Sequence, residues 1–187
     1  MRKWSKAFFI AVLTILPITL PVAIVKADRP SGTFEWHIGD AFLAAFDPAF
    51  GADSISMAGV NGDTITVNGT GTLSVQSKSA TGGGMFVHRN TAGNEIAHGT
   101  WEARALISFV SYGDASPQQL PSFLFGGKAM IRVKILVGGT PVHDGILTVF
   151  CELGSRIPAS VHDGITLNVQ DAINFNKLVS GFTVFKQ

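Results

Sequence analysis

The chain has 187 residues, of which 46% are hydrophobic and 14% charged, and its formal net charge is +1. A single cysteine, Cys151, excludes an internal disulfide, but a chain of this length can be stabilised by its core alone. The nearly neutral charge, without a basic cluster, argues against a nucleic-acid-binding protein.

The first 27 residues have the layout of a secretory signal peptide. Arg2, Lys3 and Lys6 precede an apolar run over residues 7–25, and Ala27 provides a small residue at the exit. We expect cleavage after Ala27 and a secreted domain over residues 28–187, which carries 10 basic and 13 acidic residues, a net charge of −3. The alternative is an uncleaved membrane anchor, because a run of this length approaches a bilayer span.

The rest of the chain consists of short alternating segments separated by turn signals, which predicts an all-β domain. In residues 128–137, Ala129, Ile131, Val133 and Ile135 fall on one face and Arg132 and Lys134 on the other. The remaining strands are predicted over residues 33–38, 64–68, 72–78, 84–89, 95–112, 145–153, 165–170 and 179–186. Because a barrel removes exposed edges, the sequence favours a single-domain antiparallel β-barrel, with a β-sandwich as the alternative.

Three local features modify this pattern. Residues 40–50 predict a short helix that is capped by Asp40 and ends before Pro48. The long strand over residues 95–112 is expected to bend or bulge near Gly99. The sequence TGGGMF at residues 81–86 lacks the lysine of a phosphate-binding loop, so it predicts close backbone packing or a sharp bend.

A five-residue sequence, Val-His-Asp-Gly-Ile, occurs twice, with histidines at His143 and His162. Asp-Gly before an apolar stretch is a turn signal, so we interpret both copies as turns at the start of a strand. If the two turns lay at one end of the domain, these histidines, with Asp144 and Asp163, would form a metal site. No established metal motif accompanies them, so no metal site is predicted.

The candidate ligand-binding residues are His88, His98, Glu102 and Arg104. A type I turn at residues 90–94 would place His88 and His98 on one face, whereas a register shifted by one residue would separate them. Glu102 and Arg104 are expected to face solvent, and they would bind a ligand only if they pointed inward. Cys151 is interpreted as a buried thiol rather than a nucleophile.

Residues 81–113, 126–135, 144–154 and 163–169 resemble segments of small secreted prokaryotic proteins, and the likeness extends over about residues 60–187. This resemblance implies an exported, β-rich protein and no particular activity. The glycine-rich hairpins are also similar in architecture to the small barrels of allene oxide cyclases and dirigent proteins. No catalytic residue is transferred from either group, because fold likeness does not transfer function.

The sequence therefore predicts a secreted binding or interaction module without a cofactor, whose partner is a small apolar ligand or a cell-surface molecule. One alternative is a cyclase- or isomerase-type enzyme that acts on an apolar substrate. The other is a structural cell-surface protein that associates through an exposed edge or through residues 42–50. A deep apolar cavity would favour the ligand or enzyme hypotheses, and a solidly packed interior would remove both and leave a surface or structural role.

Overall fold

The computed structural model describes residues 32–187, so the predicted signal peptide lies outside the described residues. Twelve antiparallel strands form one sheet, which confirms the all-β prediction and differs from the two sheets of a sandwich. The strands are β1 Thr33–Ile38, β2 Ser54–Met57, β3 Thr64–Val67, β4 Gly69–Ser74, β5 Ser79–Arg89, β6 Glu95–Asp114, β7 Leu124–Val137, β8 Thr140–Cys151, β9 Gly164–Val169, β10 Asn174–Phe175, β11 Lys177–Ser180 and β12 Thr183–Lys186.

Backbone pairing closes a circuit through six of these strands, in the order β1–β4–β5–β6–β7–β12 and back to β1. We call this circuit the six-strand ring. Two extensions leave it: β8, β9 and β10 continue from β7, while β3, β2 and β11 continue from β5. The buried hydroxyl of Ser56 in β2 donates to the carbonyl of Ile165 in β9, so the two extensions meet. The sheet is therefore partly ring-like.

Large side chains fill the space between the strands. Trp36 of β1 stacks on Trp101 of β6 with ring centroids 5.4 Å apart, and the Trp101 indole N–H donates to the carbonyl of Asn68 at 3.0 Å. Phe34 and Phe185 are also fully buried. The predicted inner face of β7 is confirmed, since Ala129, Ile131, Val133 and Ile135 are all buried. The interior is thus a packed core, as expected for a small ring of strands.

The glycine-rich sequence lies where β5 changes partner, from β4 at Gly83 to β3 at Phe86. An added Cβ at Gly84 would overlap the carbonyl oxygen of Asn68 and lie 2.6 Å from the Cα of Gly69. The prediction of close backbone packing is confirmed. An irregularity does occur near Gly99: against β5, strand β6 has one extra residue, Ile96, between the pairs Arg89–Glu95 and His88–Ala97. Three further register shifts, against β7, lie between Ala103 and Gly113.

Residues 40–51 form two short helices rather than one. Helix α1, Ala41–Ala44, begins at Asp40, whose side chain accepts from the backbone N–H of Leu43 at 3.1 Å, so the predicted cap is confirmed. A 3-10 helix follows at Pro48–Gly51, and Asp47 caps it in the same way. Leu43 is buried, whereas Phe46 is 46% exposed. This pair of helices packs beside one end of the ring.

Candidate functional site

The two candidate histidines of the hairpin lie on opposite faces of the sheet. His88 pairs with Ala97, and His98 pairs with Val87, because a register shift occurs between His88 and Arg89. The prediction that they share a face is therefore wrong, and a single bulge accounts for the difference. The structure does not bring His88 and His98 together.

Each histidine instead has its own acidic partner. His88 Nε2 lies 3.0 Å from Asp63 Oδ2, and its ring contacts Phe175 edge-on. His98 Nδ1 lies 2.6 Å from Glu95 Oε1 on the exposed surface. Neither arrangement includes an adjacent nucleophile or a cavity that both histidines line. These positions are consistent with local stabilisation of the hairpin.

Glu102 and Arg104 point outward, as expected. They form an exposed ion pair at 2.5 Å, and Glu102 faces Lys134 across the ladder. Lys134 in turn binds Asp144 at 2.7 Å, and this hydrogen bond lowers the pKa of Asp144. The four candidate ligand-binding residues thus belong to three separate pairs, of which His88–Asp63 is largely buried and the other two are exposed, and they do not form one site.

The repeated Val-His-Asp-Gly-Ile sequence does not form a metal centre. His143 lies inside β8 opposite Ile135, whereas His162 precedes β9 near Glu152. Since Gly145 pairs with Val169 and Phe150 with Gly164, the two copies lie at opposite ends of the β8–β9 ladder. Among residues 32–187, no three acidic, histidine or cysteine side chains are grouped as metal ligands.

The interpretation of both copies as turns is also partly wrong. Asp144 and Gly145 lie in the interior of β8, which begins already at Thr140. Asp163 and Gly164 do stand at the start of β9, and Gly164 has a positive φ of 130°. The same five residues therefore adopt a strand in one copy and a loop-to-strand junction in the other, because their neighbours in the sheet differ.

The described surface carries several open depressions, including one of about 370 Å³ beside His98 and one of about 470 Å³ beside His162. Two others, on β7–β9 and at the end of the ring, differ in the polarity of their lining. The first is a polar groove of about 450 Å³ on the outer face of β7–β9, lined by Arg132, Asp144, Gly145, Ile146, Asn168 and Gln170. Most of its side chains are exposed, and its floor is a flat stretch of sheet. It contains no buried polar group that would recognise a ligand.

The second depression is an apolar cleft of about 250 Å³ at the end of the ring, which we call the end cleft. Eight of its lining residues are apolar and two are polar: Leu43, Phe46, Phe50, Leu120, Leu124, Leu153, Phe182 and Val184, with Asp163 and Thr183. The rim residues Phe46, Leu120 and Phe182 are each partly exposed. An open apolar cleft with few polar groups is the usual form of a small-molecule site.

Contacts between distant segments hold the walls of the end cleft. The backbone N–H of Gly39 donates to the carbonyl of Phe182 at 3.2 Å, and the rings of Phe50 and Phe182 lie 4.4 Å apart. On the other side, the amide of Gln118 donates to the carbonyl of Gly154 at 2.9 Å and accepts from its N–H at 3.2 Å. The loop that carries Leu120 is therefore fixed to the loop that carries Leu153 and Asp163.

Asp163 is the one ionisable group that lines the end cleft within the described residues. Burial raises its pKa to about 6, even though the backbone N–H of Glu152 donates to its carboxylate at 2.5 Å. The neighbouring Cys151 thiol is fully buried, and burial raises the pKa of Cys151 as well, so the thiol stays protonated. The interpretation of Cys151 as a buried thiol is confirmed.

The charged residues around the end cleft have partners elsewhere. On the same loop, Glu152 lies 3.4 Å from His162. On the neighbouring elements, Asp40 binds His37 at 2.6 Å, and Lys186 binds Glu35 at 2.7 Å. Among residues 32–187, no lysine, arginine or histidine lines the cleft. The site thus combines an apolar surface with a single carboxyl group.

Sequence reasoning missed most of this site. It named residues 42–50 only as a packing or partner-binding segment, and it named Asp163 only as a metal ligand. The cleft is assembled from four chain segments that are far apart in sequence. The available signal was the Phe42, Leu43 and Phe46 stripe, which is too apolar for a helix that only faces water.

Comparison with known proteins finds no matching family model, no matching curated protein and no matching solved structure. The resemblance to small secreted prokaryotic proteins therefore stays a prediction. Within residues 32–187, no helix has the length and apolar character needed to cross a membrane. The fold and the end cleft define an all-β protein with a small apolar depression, and any function has to be argued from that geometry.

Proposed function

We propose that this protein is a binding module that holds a small, mainly apolar molecule in the end cleft. The secreted location expected from residues 1–27 is part of this proposal. The ligand sits at the end of the ring rather than inside it, because Trp36, Phe34 and Phe185 fill the interior. The packed interior removes the internal ligand site that the sequence suggested, and with it the enzyme hypothesis in that form. By that criterion alone a surface or structural role would remain, and the ligand hypothesis is retained only because of the end cleft, a site that the sequence did not indicate.

The observation that supports the proposal most strongly is the exposure of apolar side chains around a concave surface. Phe46 is 46% exposed, Leu120 is 40% exposed, and Phe182 is 38% exposed, although each borders the cleft. Leaving such a group of apolar side chains in contact with water is unfavourable by about 25 cal/mol per Å². Contiguous exposed apolar surface with a polar surround marks binding sites.

The enzyme alternative depended on convergence of His88, His98, Glu102 and Arg104, and these residues do not converge. One observation still favours an enzyme. The Asp163 carboxyl has a pKa of about 6, which is suitable for proton transfer near neutral pH. No second catalytic group accompanies it in the cleft, so ligand binding is the simpler proposal.

The binding proposal predicts that 1-fluoronaphthalene, a neutral apolar probe, binds the wild-type protein and binds the Leu120→Asp variant about tenfold more weakly. The added carboxylate would lose hydration when the probe covers it. Leu120 is partly exposed, so the variant should fold normally. Titration followed by ¹⁹F NMR measures the affinity.

Val60→Asp is the matched control, because Val60 is 83% exposed between β2 and β3 and does not line the cleft. Its affinity for the probe should equal that of the wild type. Equal weakening in both variants, or no binding to the wild type, would contradict the proposed site.

A further inference from the structure

We propose that the end cleft selects a molecule with an apolar body and one cationic amine, and that the Asp163 carboxylate binds this amine. This inference rests on the proposed function and assigns the chemical class of its ligand. It follows from the position of one acidic group, from the polar contacts that this group already makes, and from a cleft wall that carries no basic residue between positions 32 and 187.

Asp163 has hydrogen-bonding capacity to spare. One carboxylate oxygen accepts the backbone N–H of Glu152, and the thiol of Cys151 is a further neighbour. An ionised carboxylate has about four lone-pair sites, and a thiol is a weak donor. The other polar lining residue, Thr183, already donates its hydroxyl to the carbonyl of Phe150. A ligand donor in the cleft would therefore bind Asp163.

The charge balance favours a cation. Glu152 and His162 pair with each other on the same loop, and Asp40 and Lys186 are paired with His37 and Glu35 on the elements opposite. Within residues 32–187, no side-chain ion pair is formed by Asp163: burial disfavours its ionised form and raises its pKa, while the neighbouring His162 lowers that pKa only slightly and is paired with Glu152. A bound ammonium would supply the missing opposite charge and a charge-assisted hydrogen bond.

The same arrangement disfavours apolar carboxylates such as fatty acids. A ligand carboxylate would meet Asp163, and the part of the chain that the structure describes places no lysine, arginine or histidine on the cleft wall to bind it. Two carboxyl groups that share one site cannot both ionise without cost. A neutral alcohol can donate to Asp163, but it lacks the charge.

The volume limits the size of the ligand. A cleft of about 250 Å³ is smaller than typical sites for drug-sized molecules, which begin at about 300 Å³. At the density of a liquid, this space holds on the order of ten non-hydrogen atoms. An alkylamine of about eight carbons therefore fits, and larger molecules would extend past Phe46 and Leu120 into solvent.

The test compares octylamine, 1-octanol and octanoate, which share one apolar body, by isothermal titration calorimetry at pH 7.5. We expect octylamine to bind at least about tenfold more tightly than octanol, as a charged hydrogen bond allows, and octanoate to bind most weakly. Lowering the pH to 5.0 protonates Asp163 and should remove most of the advantage of the amine.

Asp163→Asn should reduce the advantage of octylamine over octanol to about twofold or less and leave the affinity for octanol unchanged. Asp171→Asn is the matched control, because Asp171 is exposed in the β9–β10 turn, away from the cleft. This control should keep the wild-type order of affinities. If Asp163→Asn failed to fold, the comparison of the two pH values in the wild-type protein would still decide the question.

The outcomes separate the two proposals. Equal binding of octylamine and octanol at pH 7.5 would overturn the role of Asp163 and leave the apolar cleft as a binding site. Failure of octanol and 1-fluoronaphthalene to bind would overturn the proposed function as well. A dimer in sedimentation velocity that Leu120→Asp dissociates would show that a second copy of the chain covers the cleft, and this result would also overturn the inference.

Discussion

Replacing Gly84 with alanine is expected to destabilise the protein by more than about 4 kcal/mol, or to prevent folding altogether. The added Cβ would overlap the carbonyl oxygen of Asn68 and approach the Cα of Gly69 to 2.6 Å. Backbone atoms on both strands are held by the ladders of the six-strand ring, so they cannot move aside at low cost. Urea unfolding followed by circular dichroism measures the loss.

Gly93→Ala is the control for this prediction. Gly93 lies in the β5–β6 turn with a φ of 82°, and nothing lies within 4 Å of an added Cβ. Its cost should be limited to the strain of a left-handed residue, about 1 kcal/mol. If the two alanine variants were equally stable, the close approach of β5 to residues 68–69 would not be as described.

The second large effect is a pH-dependent gain in stability in the Asp163→Asn variant. Burial raises the pKa of Asp163 to about 6 from 3.8, so the folded protein binds this proton more tightly than the unfolded chain does. The contribution of Asp163 to the free energy of unfolding is therefore greatest below pH 4, and it falls as the pH rises from about 4 to 6. Above pH 6 the ionised carboxyl lowers the free energy of unfolding by a constant amount.

A difference of about two pKa units corresponds to at most about 3 kcal/mol, and partial solvent exposure reduces it. We expect Asp163→Asn to be more stable than the wild type by about 1–2 kcal/mol at pH 8, because asparagine can still accept the N–H of Glu152. The difference should disappear near pH 4. Urea unfolding of both proteins at pH 4, 6 and 8 measures it.

Comparing the wild type with Asp163→Asn separates the contribution of Asp163 to the free energy of unfolding from the contributions of the other acidic residues. Hydrogen bonds to Lys186 and Lys134 lower the pKa values of Glu35 and Asp144, respectively. These two groups therefore lose stabilising interactions as the pH falls, and they do so equally in the wild type and in Asp163→Asn. Asp171→Asn should give no comparable gain. A variant that is less stable than the wild type at every pH would show that the Asp163 carboxyl stabilises the loop and is not held at a cost.

A stability cost at a concave, partly exposed site is typical of functional groups, because selection retains them for binding rather than for folding. The pKa of Asp163 is raised, while those of Glu35 and Asp144 on the outer surface are lowered. The surface acids have lysine partners, and Asp163 has none. This contrast connects the stability prediction to the proposed ligand class.

The regular strands of the fold could be predicted from the sequence. β1 has the predicted bounds, and the inner face of β7 was predicted from strict alternation of apolar residues. Strands with one buried face carry this signal in every second residue. Closure of six strands into a ring was predicted only as a general tendency toward a barrel, because pairing between β1, β4 and β12 depends on contacts distant in sequence.

The candidate sites were harder to predict from the sequence than the strands, and His88 and His98 show the physical reason. The turn at residues 90–94 was placed correctly, since Asn90 and Asn94 are bonded there, but one extra residue in β6, Ile96, reversed the faces. Local sequence does not determine such a shift. The end cleft is harder still, because Leu43, Leu120 and Asp163 become neighbours only after the ring has formed.

The most direct test of the account is to locate the binding site of 1-fluoronaphthalene by ¹H–¹⁵N chemical-shift mapping of residues 28–187. The account predicts that the largest shifts occur around the end cleft, at Leu43, Leu120, Asp163 and Thr183. Shifts concentrated in the groove at Arg132 and Asn168, or no saturable shifts at all, would contradict it.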